Sequence, residues 1–319
     1  MPDVSQAPIE NAFASTGHAA RLAAAALGVL ASVLCGLDAS AQSPTAHEDA
    51  IPSAGCVQSS VARISRYSEV VLHARDGNNR VRTFLLHAPT PYIPTHPYSL
   101  IFVFHGAAES SRNSYATGFQ DVEGAAENAL FIFPDGIKYQ NTVVGWDDAE
   151  HGEGYDLPFF DHMLHDIETS YCVDMARVFA AGGSWGGDFV IALACHRADK
   201  LRAVEVNSSG DEYDDNSNYM TYHGLPCSGT KRPAVLFEHA VGGDGAYPAP
   251  DFSTTSHLFK YLNSCGTGGQ LLKPRTPVMS CVAYSACAAK YTECFFDAAI
   301  GHAQPPNLTR DTWNFFSGF

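Results

Sequence analysis

Residues 182–186, Gly-Gly-Ser-Trp-Gly, have the residue types and the spacing of a turn that presents a nucleophilic serine. The apolar run 178–181 before them predicts a buried strand, and residues 188–197 after them are compatible with a helix. Strand, sharp turn and helix form the setting in which G-x-S-x-G exposes a serine hydroxyl. Glycine two residues to either side avoids the collisions that a Cβ would make there. This pattern predicts Ser184 as a nucleophile rather than as part of an ordinary glycine-rich turn.

A serine hydroxyl needs a base to take its proton, and the base needs an acid to hold its tautomer. In hydrolases with this turn, the acid and then the histidine follow the serine along the chain. Beyond residue 240 the histidines are His257 and His302. His257 falls within a helical pattern, whereas His302 follows the last predicted strand in an irregular segment. We therefore predict His302 as the base.

The acid has three candidates. Asp244 lies in a glycine-rich loop soon after the predicted strand 234–237, Asp251 comes seven residues later, and Asp211 follows an earlier predicted strand. Aspartate is also common in turns that do no chemistry. Chain order and the position after a strand favour Asp244, with Asp251 as the alternative.

The anion that forms when a serine attacks a carbonyl needs two backbone N–H donors. We expect one from Trp185, the residue after the nucleophile, and the other from the loop 105–107, where Ala107 is the predicted donor. His105 then serves to anchor that loop, because the chain order leaves it no catalytic step. We expect no cofactor.

Residues 158–171 place polar side chains on a predicted amphipathic helix, among them Asp161, His162, His165 and Asp166. Two such residues four apart can bind a metal. No further ligand cluster accompanies them in the sequence, so we interpret them as the polar face of the helix and expect no metal site.

Short apolar runs alternate with helical patterns over the rest of the chain. The predicted strands are 69–74 and 81–87, which form a hairpin, and 100–104, 130–133, 178–181, 203–206, 234–237 and 292–296. The predicted helices are 121–129, 158–171, 188–197, 258–262 and 311–316. This alternation predicts an α/β fold, with a mostly parallel sheet and helices on both faces.

The first residues indicate export. Arg21 is followed by the apolar run 22–35, and Ala-Ser-Ala at 39–41 offers a cleavage site. We therefore expect a signal peptide at 1–41, a flexible tail at 42–55, one catalytic domain at 56–319 and a secreted, extracellular protein. Eight cysteines follow residue 41, an even number that predicts a fold stabilised by disulfides whose pairing the sequence leaves open.

The composition limits the partners. The chain has 319 residues, 45% of them hydrophobic, and a net charge of −15. Nucleic acids and anionic membranes are bound by basic patches, so this charge argues against both. We expect a monomer.

Nine segments spread over the chain resemble carbohydrate esterase family 1, the secreted feruloyl esterases and the related poly(3-hydroxybutyrate) depolymerase-like esterases. They are residues 53–56, 97–106, 133–136, 156–161, 171–179, 182–186, 192–195, 232–236 and 301–302. The resemblance implies an α/β-hydrolase fold with a Ser-Asp-His triad. Residues 244–248, Asp-Gly-Ala-Tyr-Pro, match the family's Asp-x-x-Val-Pro except that Tyr247 replaces Val, which supports Asp244 as the acid.

The resemblance further implies hydrolysis of feruloyl esters of plant cell-wall polysaccharide such as xylan, through an acyl-enzyme on Ser184. An acetylxylan esterase or an extracellular polyhydroxybutyrate depolymerase is the alternative within the same chemistry. A non-catalytic binding protein is the alternative of another class, and the ordered triad argues against it. Trp146, Trp185 and Tyr247 are candidates to contact an aromatic acyl group, although packing inside the protein is the commoner role of such residues.

Overall fold

The computed structural model describes residues 49–57, 69–139, 143–147, 154–210, 221–222, 225–227, 231–272 and 279–319. The predicted signal peptide at 1–41 lies outside these residues. The strands are β1 Glu69–Arg75, β2 Val81–His87, β3 Tyr98–Phe104, β4 Ala129–Pro134, β5 Ile137–Tyr139, β6 Val143–Gly145, β7 Val173–Gly183, β8 Ala203–Asn207, β9 Thr221–Tyr222, β10 Leu225–Pro226, β11 Ala234–Ala240, β12 Gly269–Leu271, β13 Met279–Tyr284 and β14 Tyr291–Phe296. The helices are α1 Ser111–Ala116, α2 Ala125–Asn128, α3 Asp156–Ser170, α4 Trp185–His196, α5 Ala249–Leu262 and α6 Leu308–Phe316, with 3₁₀ turns at Ala54–Val57, Phe119–Asp121 and Ala298–Ile300.

Ten strands form one sheet in the order β1-β2-β4-β3-β7-β8-β11-β14-β13-β12. The six central strands, β4 to β14 in that order, are parallel. Antiparallel strands extend the sheet at both edges. The carboxyl ends of β7, β8, β11 and β14 therefore meet at one edge of the sheet, where the loops that follow them can bring side chains together.

Alternate residues of the central strands pack into two hydrophobic cores, one on each face of the sheet. Val178 and Ala180 face one core together with Phe160 of α3 and Phe189 of α4. Phe179 and Ala181 face the other core, which includes Phe315 and Phe316 of α6 and Phe119 before α2. Side chains alternate between the faces of a strand, so continuous apolar runs such as those of β3 and β7 need helices on both sides. The predicted α/β fold is confirmed.

Several predicted elements need correction. Residues 121–129, predicted as a helix, form the end of a 3₁₀ turn, the four-residue helix α2 and the first residue of β4. Gly124, with φ 85°, lies between the turn and α2 in a conformation that does not continue a helix. The helix predicted at 258–262 begins already at Ala249. The strands β5, β6, β9, β10, β12 and β13 were not predicted at all.

The tail predicted at 42–55 is bound to the domain over its last residues. Ser53 N–H donates to the Val173 carbonyl at 2.8 Å, and Ser53 Oγ donates to the Tyr171 carbonyl at 2.9 Å. Ile51 N–H donates to Asp174 Oδ1 at 2.9 Å. Residues 51–53 therefore extend the contacts at the start of β7.

The eight cysteines after residue 41 form four disulfides: Cys56–Cys172, Cys195–Cys227, Cys265–Cys287 and Cys281–Cys294. The last of these joins directly paired residues of β13 and β14. The sequence predicted disulfides but not their pairing. No helix among the described residues is long and apolar enough to cross a membrane.

A buried ion cluster ties the β1–β2 hairpin to α3. Arg82 Nη1 lies 2.5 Å from Asp156 Oδ1 and 3.3 Å from Asp76 Oδ2, and its Nη2 donates to the Asp135 carbonyl at 2.8 Å. The Arg82 side chain is 3% exposed and both carboxylates are fully buried. Burial raises the pKa of Asp156 to about 6, although Arg82 acts in the opposite direction. Arg82 is thus the cation that pairs with Asp156, whereas Asp76 also pairs with Arg80 at 2.8 Å.

We expect Arg82→Gln to lower the free energy of unfolding by about 3–5 kcal/mol, because it leaves the buried carboxyl group of Asp156 without its cation. Arg112→Gln is the matched control. Arg112 pairs with Glu69 at 2.5 Å but is 58% exposed, so its loss should cost less than about 1 kcal/mol. Urea denaturation with the disulfides intact measures both values, and equal losses would contradict the assignment.

Candidate active site

Ser184 occupies the sharp turn between β7 and α4. Its backbone has φ 54° and ψ −135°, a conformation that residues with side chains rarely adopt. A Cβ on Gly182 would lie 2.5 Å from the carbonyl oxygen of Gly186, and a Cβ on Gly186 would lie 2.6 Å from that of His105. Glycine at both positions therefore allows three backbone segments to approach closely enough to form the turn.

The structure brings Ser184, His302 and Asp244 into contact. His302 Nε2 lies 2.9 Å from Ser184 Oγ, and His302 Nδ1 lies 3.0 Å from Asp244 Oδ2. An ionised carboxylate can only accept, so Nδ1–H donates to Asp244 and Nε2 accepts from the serine hydroxyl. In this arrangement the imidazole can take the serine proton while the carboxylate holds the ring.

Asp244 is fixed by its own turn. Its side chain is fully buried, and its Oδ1 accepts from the backbone N–H groups of Ala246 and Tyr247, each at 2.8 Å. Burial opposes the charged form, but the hydrogen bonds from Tyr247, His302 and Ala246 outweigh it and hold the pKa of Asp244 below its usual value. The carboxylate therefore stays ionised beside His302.

The alternative candidates lie elsewhere. Asp251 lies within α5 rather than in a loop, and Asp211 lies outside the described residues. His257 is an exposed residue of the same helix. Within the described part of the chain, His257 has no hydrogen bond to the Ser184–His302 pair.

The loop after β3 borders the serine. His105 anchors it, because its Nδ1 donates to the Gly106 carbonyl and its Nε2 accepts from the Gly136 N–H, both at 2.8 Å. Ala108 N–H donates to the Val144 carbonyl at 2.8 Å. Ala107, between these anchored residues, is exposed, and its N–H has no hydrogen-bond partner within the described part of the chain.

The second predicted donor, Trp185, is the first residue of α4. The N–H groups of the first helical turn point out of the helix, so this one is directed to the end at which Ser184 lies. Ala107 and Trp185 thus lie on the two segments that border the serine.

The three aromatic candidates differ in exposure. Trp146 is buried, packs against Phe104 and Phe189, and donates its Nε1–H to the His105 carbonyl at 2.8 Å. It belongs to the core and has no face for a substrate. The half-buried ring of Trp185 lies against β6, where a Cβ on Gly145 would be 2.5 Å from it.

Tyr247, the third aromatic candidate, links the loop 241–248 that carries Asp244 (the acid loop) to α4 (the elbow helix). Its hydroxyl donates to Asp188 Oδ2 at 2.5 Å, and Asp188 Oδ1 accepts from the Gly210 N–H at 3.1 Å. The Tyr247 ring stacks on His302 with 5.7 Å between centroids. Tyr247 therefore contacts the base His302 through its ring and holds the acid Asp244 through its backbone N–H.

A cavity of about 520 Å³ opens beside Ser184 and His302 and extends between the sheet and α6. Glu205, Asn207 and Ser208 line its inner part and are all buried. Burial raises the pKa of Glu205 to about 8, while hydrogen bonds with the Gly182 backbone and the Glu238 side chain act against that shift. Glu205 is therefore protonated at neutral pH.

Among the described residues no group of three His, Cys, Asp or Glu side chains could hold a metal ion. The polar residues of α3 have other partners: Asp161 pairs with Arg197 and Lys200, and His162 Nδ1 lies 2.7 Å from the Arg75 carbonyl. This agrees with the interpretation of these positions as the polar face of a helix.

Asp188, the role of Tyr247 and the polar inner part of the cavity were not predicted from the sequence. Tyr247 was visible only as a departure from the resembled pattern. Glu205 and Asn207 offered a signal that was not used, because two polar residues alternate within a short apolar strand. On a strand buried on both faces, such an alternation marks one face as polar.

The sheet and the serine turn after its central strand β7 define an α/β-hydrolase. No family model matches the chain. Among solved structures, the acetyl xylan esterase from Aspergillus awamori superposes with a TM-score of 0.63 at 14% identity, covering 78% of this chain and 99% of that one. At this identity the likeness concerns the fold alone.

Curated relatives carry the family assignment. Feruloyl esterase C of Emericella nidulans is 31% identical over 215 residues, which are 59% of this chain and 77% of the relative. The match to the probable feruloyl esterase C of Aspergillus niger has 33% identity and spans 53% of this chain and 64% of that protein. Feruloyl esterase D of Neurospora crassa is 26% identical, over 85% of this chain and 91% of its own length. The chain belongs to the feruloyl esterase family.

We expect Tyr247→Phe to reduce kcat about tenfold with little change in KM. The variant keeps the ring on His302 but loses a hydrogen bond to a buried carboxylate, and a loss of about 1.4 kcal/mol in the positioning of the acid loop corresponds to that factor. Steady-state kinetics on 4-nitrophenyl acetate measure it. Tyr261→Phe, at an exposed position of α5, is the control; an equal loss there, or an unchanged kcat in Tyr247→Phe, would contradict the link.

We expect the free energy of unfolding to decrease as the pH rises toward about 8. The folded-state pKa of Glu205 is about 8 and the ordinary pKa of a glutamate is 4.5, so between these values the folded protein binds more protons than the unfolded one. The stabilising contribution is complete below pH 4.5 and is lost as the pH passes 8. Glu205→Gln cannot ionise, so its denaturation curves at pH 6 and pH 9 should differ less than those of the wild type. If the free energy of unfolding changed equally between pH 6 and pH 9 in the variant and in the wild type, the assignment would be contradicted.

Proposed function

We propose that this protein is a secreted serine carboxylesterase that hydrolyses feruloyl and related hydroxycinnamoyl esters of plant cell-wall polysaccharide such as xylan. The observation that carries the proposal is the hydrogen bond of 2.9 Å between His302 Nε2 and Ser184 Oγ, with Asp244 behind the histidine. Membership of the feruloyl esterase family supports the choice of acyl group.

In the proposed reaction, Ser184 Oγ attacks the ester carbonyl while His302 Nε2 takes its proton. The backbone N–H groups of Ala107 and Trp185 donate to the oxyanion, each contributing about 2.7–4 kcal/mol to the transition state. His302 then protonates the sugar oxygen, which leaves, and the acyl group stays on the serine. Water, deprotonated by His302, attacks the acyl-enzyme and releases the free acid. Asp244 orients the imidazole throughout.

Secretion is supported by the disulfides. Four disulfides fit an oxidising compartment better than the cytosol. The sequence pattern at 1–41 supports a signal peptide as the route.

The alternatives fit the cavity less well. An acetyl group occupies a small part of about 520 Å³, whereas a space of this size suits an aromatic acyl group. A non-catalytic binding protein has no use for a serine held in an unfavourable backbone conformation and bonded to a histidine.

We expect Ser184→Ala to reduce kcat/KM for methyl ferulate and methyl caffeate by about 10⁴-fold or more, because the nucleophile is lost. His302→Ala should have a comparable effect, and His257→Ala should have none. Release of the free acid, followed by chromatography, measures all three, and thermal unfolding shows whether the variants fold. Acetylated xylan serves as the substrate that tests the alternative.

Two results would contradict the proposal. If Ser184→Ala kept its activity, the site would be wrong. If the wild type released acetate from acetylated xylan but no acid from either aromatic ester, the site would stand and the substrate class would be wrong.

A further inference from the structure

The cavity beside Ser184 has an unusual inner wall. It runs along the face of the sheet that α6 covers, past Ala181 of β7 and Phe119, toward the central strand β8. Glu205 in the middle of β8, Asn207 at its end and Ser208 just beyond it lie there, and they are 3%, 2% and 1% exposed. A wall that could have been apolar thus carries three polar side chains.

Each of these side chains has a buried polar atom without a hydrogen-bond partner in the described part of the chain: Glu205 Oε1, Asn207 Nδ2 and Ser208 Oγ. Such an atom costs about 1–3 kcal/mol when it stays unsatisfied, and most buried polar atoms in proteins are paired. Three of them on the wall of one cavity indicate that the cavity takes a polar occupant.

The chemistry of the wall restricts that occupant. With the proton of the neutral Glu205 carboxyl on Oε2, its Oε1 is an acceptor; Asn207 Nδ2 is a donor, and a serine hydroxyl can act as either. The described residues that line the cavity include no Lys or Arg, so nothing there would balance an anionic group. A neutral hydroxyl group, which donates one hydrogen bond and accepts another, fits the pair formed by Glu205 and Asn207.

The distance between Ser184 and Glu205 restricts the occupant further. Ala181 pairs with Glu205 and Gly183 with Asn207, so Glu205 lies three residues below the level of Ser184. At about 3.3 Å per residue this is roughly 10 Å along the sheet. A hydroxycinnamoyl group whose carbonyl carbon lies at Ser184 Oγ would bring its para oxygen to about this depth.

We propose that Glu205 and Asn207 form a subsite that binds the phenolic hydroxyl of the acyl group and thereby selects hydroxycinnamoyl esters over unsubstituted cinnamoyl esters. The subsite rests on the proposed esterase function and specifies its substrate. The hydroxyl donates to Glu205 Oε1 and accepts from Asn207 Nδ2, so both buried atoms gain a partner when the substrate binds. An acyl group without the hydroxyl leaves both unsatisfied.

The wild-type protein tests this without any substitution. Methyl 4-hydroxycinnamate and methyl cinnamate differ only in the para hydroxyl, so we expect kcat/KM to be at least about tenfold higher for the former. The hydroxyl donates electrons and makes the ester intrinsically slightly less reactive, which excludes simple reactivity as the cause of such a preference. 4-Nitrophenyl acetate is measured alongside as an ester without an aromatic acyl group.

Glu205→Met removes the acceptor with little change in side-chain length, and we expect it to bring the ratio of the two aromatic esters close to one. Thr292→Val is the matched control. Thr292 is also buried on this face of the sheet, and its hydroxyl has no partner in the described part of the chain, yet it does not line the cavity. We expect it to keep the wild-type ratio.

Equal kcat/KM of the wild type for the two aromatic esters would overturn the subsite and leave the proposed function standing. An unchanged ratio in Glu205→Met, or a ratio lost equally in Thr292→Val, would also overturn it. Turnover of 4-nitrophenyl acetate with no cleavage of either aromatic ester would overturn the proposed function and the subsite together.

Discussion

The backbone conformation of Ser184 is the constraint on which the site depends. A residue with a side chain at φ 54° and ψ −135° costs about 1–3 kcal/mol, so the surroundings must hold it. Ser184 N–H donates to the Asn207 carbonyl at 3.0 Å, and the Ser184 carbonyl accepts from Gly187 at 2.8 Å and Asp188 at 3.1 Å. The strand β8 and the first turn of α4 therefore share the task, and the core residues that pack them stabilise the turn indirectly.

The base and the acid depend on that same helix. Asp188 in the first turn of α4 accepts from the Tyr247 hydroxyl, and the backbone N–H of Tyr247 donates to Asp244. The elbow helix thus fixes Ser184 at one end of the site and steadies the acid loop at the other. Because Tyr247 also stacks on His302, a displacement of α4 would change the positions of all three members of the proposed triad.

How far the sequence predicts such a site depends on the range of the interactions. Ser184 was identifiable because its turn needs glycine at fixed positions, and His302 because chain order left few histidines. Asp251 remained an alternative to Asp244 because both aspartates follow the predicted strand 234–237. Asp251 instead lies in α5, whose first turn includes Pro250, since the first turn of a helix has no need of the missing N–H group of proline.

Contacts between distant residues were beyond such reasoning. The bond between Tyr247 and Asp188 joins residues 59 positions apart, and the cavity in front of Glu205 exists only because α6 lies across the sheet. The strand β12 was missed for another reason. All three residues of β12 are exposed, so the strand has no apolar pattern to detect.

Disulfides and hydrogen bonds stabilise different parts of the molecule. Near β12, whose three residues are all exposed, Cys265–Cys287 and Cys281–Cys294 close loops and so reduce the entropy of the unfolded chain. The loops that carry Asp244 and His302 contain no cysteine and are held by hydrogen bonds and one aromatic stack. A disulfide fixes the distance between two backbone positions, whereas proton transfer between Ser184 and His302 depends on the orientation of side chains. Hydrogen bonds with directional donors and acceptors are the interactions that set such orientations, so the network around Tyr247 is suited to a task that a disulfide could not perform.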